Sequence, residues 1–151
     1  MATGNLDWLQ LDKQLCFALY SASLAMTKLY KPLLAPLGLT YPQYLVMLVL
    51  WGQDDQSVGT LGERLSLDSG TLTPLLKRLE AQQLIVRLRD AADERRVRVR
   101  LTAEGRALRE QAREVPRAIF CATGCSLDEL ADLSARLQRL RNTLQADRAA
   151  A

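Results

Sequence analysis

The pattern of apolar residues changes its period near the middle of the chain, and this change limits the fold more than any other feature. Over residues 95–101 (RRVRVRL) valine or leucine alternates with arginine, which is typical of a half-buried strand. The run LIVRLR at 84–89 is the predicted partner strand, and residues 90–94 form the turn. Its inward face is predicted to carry Leu84, Val86 and Leu88. Elsewhere the spacings are helical, so we expect a mainly α-helical chain with one small β-hairpin.

Helical spacing covers the first third of the chain. A stripe of apolar residues over 6–30 predicts a first helix, which Pro32 is expected to end. The stripe consists of Leu11, Leu15, Ala18, Ala22, Ala25 and Leu29. Thr40 and Gln43 have capping-box spacing, with Pro42 in the first turn, and they predict the start of a second helix. Its sequence YLVMLVLW is apolar on nearly every side, so this helix is expected in the core.

Two short helices joined by a tight turn are predicted before the hairpin. Ser57 can cap the first, whose inward residues are Val58, Leu61 and Leu65. A break is expected at 67–70, and Pro74 is expected near the first turn of the next helix. The inward residues of that helix are Leu72, Leu75, Leu76 and Leu79. A helix-turn-helix followed by a β-hairpin is a winged helix.

Two further helices are predicted after the hairpin. Thr102 caps the first, and Ser126 with Glu129 forms a capping box for the second. Their apolar stripes are Leu108, Ala112, Val115 and Ile119, and then Leu130, Leu133, Leu137, Leu140 and Leu144. We expect one domain over 1–151, with a DNA-binding winged helix-turn-helix lobe at about 40–102. The flanking helices at about 6–36 and 103–146 carry unpartnered apolar stripes, which a second copy of the chain can cover.

Composition excludes several classes of function. The 151 residues contain three cysteines and no histidine, which argues against a zinc site and excludes a Ser-His-Asp or Cys-His catalytic arrangement. We therefore expect that the protein is not an enzyme and that it binds neither a metal nor a cofactor. No stretch of 18 apolar residues and no secretory signal are found, so the expected location is the cytoplasm, away from membranes. Net charge is +3, but residues 87–100 alone contain six arginines against three acids.

This basic segment and the helix before it predict contacts with double-stranded DNA. A recognition helix presents small or polar residues to the major groove, and arginines at a wing tip can enter the minor groove. The candidate contacts are Ser69, Gly70, Thr71, Thr73, Lys77, Arg95 and Arg96, and Asp93 is placed to brace the wing tip. The alternatives are an ordinary surface helix and a solvated charged hairpin. Arg96, Arg98 and Arg100 could contact phosphates or keep an edge strand soluble.

The segment DERRVRVRLTAEG (93–105) resembles the wing signature of the MarR family of winged-helix regulators. The runs at 15–51 and 67–80 resemble the organic hydroperoxide resistance regulators within that family. The resemblance implies a homodimeric repressor on a palindromic operator, which it leaves when a cysteine near the N-terminus is oxidised by an organic hydroperoxide. It also implies that Arg95 is the minor-groove arginine.

Cys16 is the predicted redox-sensing residue. A peroxide sensor reacts as a thiolate, and tyrosine hydroxyls can stabilise that form by donating hydrogen bonds. By the resemblance, Tyr30 and Tyr41 reach Cys16 of the other subunit, and Tyr20 lines the same pocket. A small buried cysteine and ordinary core tyrosines are the alternative, which we keep for Tyr44.

The resemblance also implies an intersubunit disulfide in members with two cysteines, and it favours Cys121 over Cys125 as the resolving residue. Three other functions stay open at this point. They are a regulator released by a small aromatic ligand, a thiol peroxidase that turns over through Cys16, and a winged helix that binds protein.

Overall fold

A computed structural model describes residues 8–150. The α-helices are α1 (Leu15–Leu34), α2 (Tyr41–Gly52), α3 (Val58–Leu65), α4 (Ser69–Ala81), α5 (Ala103–Ala112), α6 (Glu114–Thr123) and α7 (Leu127–Ala150). The strands are β1 (Gln56–Ser57), β2 (Ile85–Arg89) and β3 (Val97–Leu101). Short 3-10 turns cover Leu11–Lys13 and Ala35–Leu37. The chain divides into two compact units, Met1–Val115 and Pro116–Ala151. The mainly helical winged-helix prediction is confirmed.

The first unit is built around α2 and α4. The Thr40–Gln43 capping box that starts α2 is confirmed, with both reciprocal hydrogen bonds formed. Val46 and Met47 on α2 are fully buried, as predicted for a core helix. From α3 and α4 the core receives Leu61, Leu72, Leu75, Leu76 and Leu79. Burying five leucines in one small unit is the main driving force for packing the helix pair against α2.

The wing is a three-stranded antiparallel sheet in the order β1-β3-β2. Val99 pairs with Gln56 on one side and with Arg87 on the other. The hairpin was predicted, whereas the two-residue strand β1 was not. Two residues carry no periodicity, so the sequence held no signal for β1.

The predicted apolar face of β2 is wrong for Val86 and Leu88, whereas Leu84 is buried just before the strand. Ile85 is buried, whereas Val86 and Leu88 are 38% and 43% exposed. Arg87 takes an inward position because Glu80, on the last turns of α4, accepts hydrogen bonds from both its backbone N–H and its guanidinium. This pairing offsets part of the cost of placing an arginine on the inner face, although the Arg87 Nε is buried without a hydrogen-bond partner.

Two helix boundaries also differ from the prediction. Helix α1 starts at Leu15 and continues through Pro32 to Leu34; residues 6 and 7 lie outside the described residues. Pro32 has no N–H, so the helix lacks only the backbone hydrogen bond from residue 32 to the carbonyl of Lys28, and Lys28 is an exposed residue. Helix α4 starts at Ser69, inside the predicted break, because Asp68 caps it through the N–H of Thr71 at 2.7 Å. Pro74 therefore lies in the second turn.

In the second unit, α6 ends before Gly124, which has a positive φ of 65°. The predicted capping box at the start of α7 is confirmed, since Ser126 N–H donates to Glu129 and Glu129 N–H donates to the Ser126 hydroxyl. No residue of α7 is buried, and Leu133 and Leu144 on its predicted seam are 52% and 56% exposed. An apolar seam of this kind can be buried against a partner helix.

Among the described residues, no individual helix has the length and apolar character needed to cross a membrane. Segments Leu15–Leu37 and Tyr41–Gly52 meet the length and composition criteria as a pair, across a bend of 66°.

Candidate DNA interface and sensor site

Helix α4 separates its buried leucines from a small polar face. Ser69, Gly70, Thr71 and Lys77 are exposed and Thr73 is half-buried. Over the first three turns, Ser69, Gly70, Thr73 and Lys77 share one side of the helix, and Thr71 lies apart from them. The cap by Asp68 holds these turns in place, and hydrogen bonds from Thr71 keep the pKa of the Asp68 carboxyl below its ordinary value. Asp68 was not among the predicted residues, although an Asp before a helical apolar pattern is a recognised start signal.

The wing tip is held by Asp93. Its carboxylate accepts from the backbone N–H of Arg95 at 3.1 Å and contacts the guanidinium of Arg95 at 3.4 Å and that of Arg96 at 4.0 Å. The side chain of Arg95 is 92% exposed and that of Arg96 is 70% exposed. Both cations therefore project into solvent from a fixed turn, which is the arrangement that insertion into a DNA groove requires.

Arg98 and Arg100 on β3 are paired with acidic residues of the protein itself. Asp55 accepts from Arg98 at 2.8 Å and contacts Arg100 at 3.2 Å, and Arg98 also contacts Asp90. Hydrogen bonds from Arg98 and then Arg100 hold the pKa of Asp55 below its ordinary value. Arg98 and Arg100 are thus 35% and 50% exposed beside Asp55, and the arginines at the wing tip are the more exposed ones.

The predicted sensor residues fall into two groups. Tyr30, at the end of α1, lies 4.7 Å from Tyr41 and 5.8 Å from Tyr44 between ring centroids. Cys16 and Tyr20 lie earlier on α1 and are exposed, Tyr20 by 64%. Because Cys16 precedes Tyr30 by 14 positions on a continuous helix, the two are about 21 Å apart along its axis. One copy of the chain does not bring them together.

Tyr44 is a buried core ring, as the alternative interpretation predicted, and it also joins the tyrosine cluster. It is 2% exposed and packs edge-on against Trp51 at 6.5 Å. Burial, aided by Tyr41 and Tyr44, raises the pKa of Tyr30 to about 12. The Tyr30 hydroxyl is therefore protonated throughout the physiological range and available as a hydrogen-bond donor.

Alkaline unfolding is expected to show this shift. The unfolded chain ionises Tyr30 near 10.0 and the folded chain near 12, so the folded state binds more protons between these values and its stability falls as the pH rises through them. Tyr30→Phe should remove this part of the fall. Free energies of unfolding in urea, measured below and within the window for both proteins, test the expectation. Parallel pH profiles would contradict it.

The two C-terminal cysteines differ in their surroundings. Cys121 is exposed near the end of α6. Cys125 is half-buried beyond Gly124, and its thiol donates to the carbonyl of Thr123 at 3.5 Å while its N–H donates to the Thr123 hydroxyl. Cys121 is thus the more accessible thiol.

Comparison with known proteins gives consistent results. A family model described as transcriptional regulator SarA/Rot matches residues 28–111. The organic hydroperoxide resistance transcriptional regulator of Bacillus subtilis is 49% identical over 141 residues, which cover 93% of this chain and 96% of the relative.

Solved structures with the same fold include regulators in several states. One is overoxidized AbfR bound to DNA, which is 36% identical with a TM-score of 0.73 over 89% of this chain and 94% of the other. AbfR of Staphylococcus epidermidis has also been solved. AbfR is also known in a reduced form bound to DNA and in a disulfide form. PcaV of Streptomyces coelicolor, in complex with its natural ligand, is 28% identical with a TM-score of 0.78 over 94% and 98% of the two chains. The chain therefore belongs to the SarA/Rot and MarR type of winged-helix transcriptional regulators, as a homologue of the organic hydroperoxide resistance regulator, and it is a DNA-binding regulator and not an enzyme.

Proposed function

We propose that this protein is a homodimeric repressor in the cytoplasm that senses organic hydroperoxides through Cys16 and then leaves a palindromic operator. The observation that carries the proposal is the separation of Cys16 from Tyr30 and Tyr41 within one copy, combined with the exposed apolar face of α1 around Cys16. The sensor is complete only when a second copy supplies the tyrosines.

The face of α1 is suited to burial in a dimer. Its exposed apolar side chains are Leu15, Phe17, Tyr20, Leu24 and Met26, each 39% to 64% exposed. Two of the hydroxyls on this part of α1 are bonded within the helix, since Ser21 donates to the carbonyl of Phe17 and Thr27 to that of Ser23. Covering this face with a second copy therefore removes apolar surface from water and leaves the Ser21 and Thr27 hydroxyls bonded.

Two-fold symmetry gives the arrangement a simple geometry. If Cys16 of each copy meets Tyr30 of the other, the two α1 helices pack antiparallel and the axis passes near Ser23, halfway between these positions. The sequence around that point is SASLA (21–25), whose small residues allow two helices to approach closely. Tyr20 then lies on the same interface as the sensor thiol.

The chemistry proceeds in two balanced steps. The Cys16 thiolate attacks the terminal oxygen of the hydroperoxide, the O–O bond breaks, and an alkoxide leaves and is protonated to the alcohol. Cys16 is oxidised to a sulfenic acid. A second thiol then displaces its oxygen as water and forms a disulfide. Hydroxyls of Tyr30 and Tyr41 from the second copy would donate to the thiolate before attack.

We assign the second thiol to Cys121 of the other subunit. Its exposure supports this choice, whereas Cys125 is half-buried and engaged with Thr123. A disulfide brings Cα atoms to about 5.5–6 Å. Closing such a bond across the dimer changes the interface that spaces the two recognition helices, which must match half-sites about 34 Å apart.

The test follows binding to an operator selected from random duplex DNA by the reduced protein. Wild-type protein is expected to release this DNA with stoichiometric cumene hydroperoxide and to form a crosslinked dimer on non-reducing gels. Cys16→Ser should stay bound and Cys121→Ser should lose the crosslink, while the matched control Cys125→Ser should behave as wild type. A wild-type protein that stays on DNA would refute the redox proposal.

A small ligand is the second candidate signal, favoured by the likeness to PcaV, which was solved with its natural ligand. Release by a phenolic acid in the same assay, with no response to the hydroperoxide, would support that alternative. A crosslink that survives in Cys121→Ser and vanishes in Cys125→Ser would transfer the resolving role to Cys125.

A further inference from the structure

Helix α2 connects the tyrosine cluster to the wing. Tyr41, Tyr44 and Trp51 lie on one side of it, at positions i, i+3 and i+10. The ring centroids of Tyr41 and Tyr44 are 6.4 Å apart, and those of Tyr44 and Trp51 are 6.5 Å apart. A continuous aromatic row therefore runs from the sensor tyrosines to the far end of α2, and the 12-residue helix spans about 18 Å.

Trp51 connects the C-terminal end of α2 to the root of the wing, which consists of residues 83–84 before β2 and residues 101–106 at the end of β3 and the start of α5. Its indole N–H donates to the carbonyl of Gly105 at 2.8 Å, across 54 positions of sequence. Gly105 lies in the first turn of α5, whose cap Thr102 is bonded to the residues that lead into β2. The N–H of Thr102 donates to Leu84 at 3.0 Å, and its hydroxyl donates to Gln83 at 2.6 Å.

A second contact acts at the same end. Asp54, two residues beyond α2, accepts the N–H of Leu101 at 2.9 Å and contacts the guanidinium of Arg106 at 3.1 Å. The end of α2 therefore holds both the last residue of β3 and the start of α5. If α2 tilts at the end that carries Tyr41 and Tyr44, its other end has to move the root of the wing or break the contacts that Trp51 and Asp54 make there.

We infer that Trp51 is a positioning residue that couples the tyrosine cluster to the wing through its hydrogen bond to Gly105. The inference rests on the proposed redox function. Oxidation that displaces Tyr41 and Tyr44 tilts α2, and the indole carries this movement to α5 and β2. Energetic coupling of this kind needs a bonded element with two arrangements, and the proposal assigns the second arrangement of α2 to the oxidised protein.

Tryptophan fluorescence tests the movement directly. The chain has two tryptophans, and Trp8 is 68% exposed, so Trp8→Phe leaves Trp51 as the sole tryptophan. Stoichiometric cumene hydroperoxide should shift the Trp51 emission in this variant, and the shift should be absent when Cys16→Ser is added. Release of DNA with unchanged Trp51 emission would overturn the inference and leave the redox function standing.

Operator binding tests the coupling. Trp51→Phe keeps an aromatic ring but lacks the N–H that bonds Gly105. The ratio of oxidised to reduced Kd is expected to fall by about tenfold relative to wild type, while Trp8→Phe keeps the wild-type ratio. Trapping of the Cys16 sulfenic acid by dimedone should be equal in all three proteins. A wild-type ratio in Trp51→Phe overturns the inference, and a wild-type protein that ignores peroxide overturns both proposals.

Discussion

Arg95→Ala is expected to lower operator affinity by about tenfold or more at physiological salt. The side chain is 92% exposed on a turn that Asp93 fixes, so its guanidinium can exchange the 3.4 Å contact with Asp93 for DNA without a change of the backbone. In a narrow minor groove the phosphates of both strands concentrate negative potential, which favours an inserted guanidinium. The variant should also reduce the slope of log K against log salt by about one, since one cation fewer displaces counterions. Fluorescence anisotropy on the selected operator measures both quantities.

Arg100→Ala is the matched control for this change. It removes the same charge from the same hairpin, but Arg100 lies on β3 away from the wing tip and its side chain is 50% exposed, against 92% for Arg95. We expect an effect on affinity of about threefold or less. If Arg100→Ala weakens binding as much as Arg95→Ala, the wing contacts DNA along its strand and not through its tip.

The helix-turn-helix and hairpin could be predicted because their signals are local. Leucine spacing in α4, the Ser57 cap and the alternation in β3 each depend on neighbouring residues. The inward face of β2 could not be predicted in this way, because Arg87 is accommodated by Glu80 from another element. The third strand depends on the pairing of Gln56 with Val99, which are far apart in sequence.

The sensor shows the same division between local and distant information. Tyrosines 30, 41 and 44 cluster because α1 and α2 meet at the turn between them, and their concentration in one stretch of sequence indicated a common site. The distance from Cys16 to this cluster follows from helix length and argues for a second copy. By contrast, neither the Asp55–Arg98 bond nor the Trp51–Gly105 bond has a sequence signal, since each joins residues more than 40 positions apart.

Gly105→Ala is expected to destabilise the fold by about 3 kcal/mol. Glycine inside a helix normally costs stability, so alanine would ordinarily be an improvement at such a site. Here a Cβ would lie 2.1 Å from the carbonyl oxygen of Leu84 and 3.3 Å from the side chain of Leu101. The first clash is with backbone and cannot be relieved by a rotamer change, so α5 has to move away from the root of β2.

Gly52→Ala is the matched control, because a Cβ at this last residue of α2 meets nothing within 4 Å. Its free energy of unfolding in urea should equal or slightly exceed that of wild type, while that of Gly105→Ala falls. Equal stabilities for the two variants would show that α5 and β2 can separate at little cost. That outcome would also weaken the coupling assigned to Trp51, since its indole holds the wing through the carbonyl of this same glycine. A tight α5–β2 contact is thus the shared physical requirement of the wing's stability and of its response to the sensor.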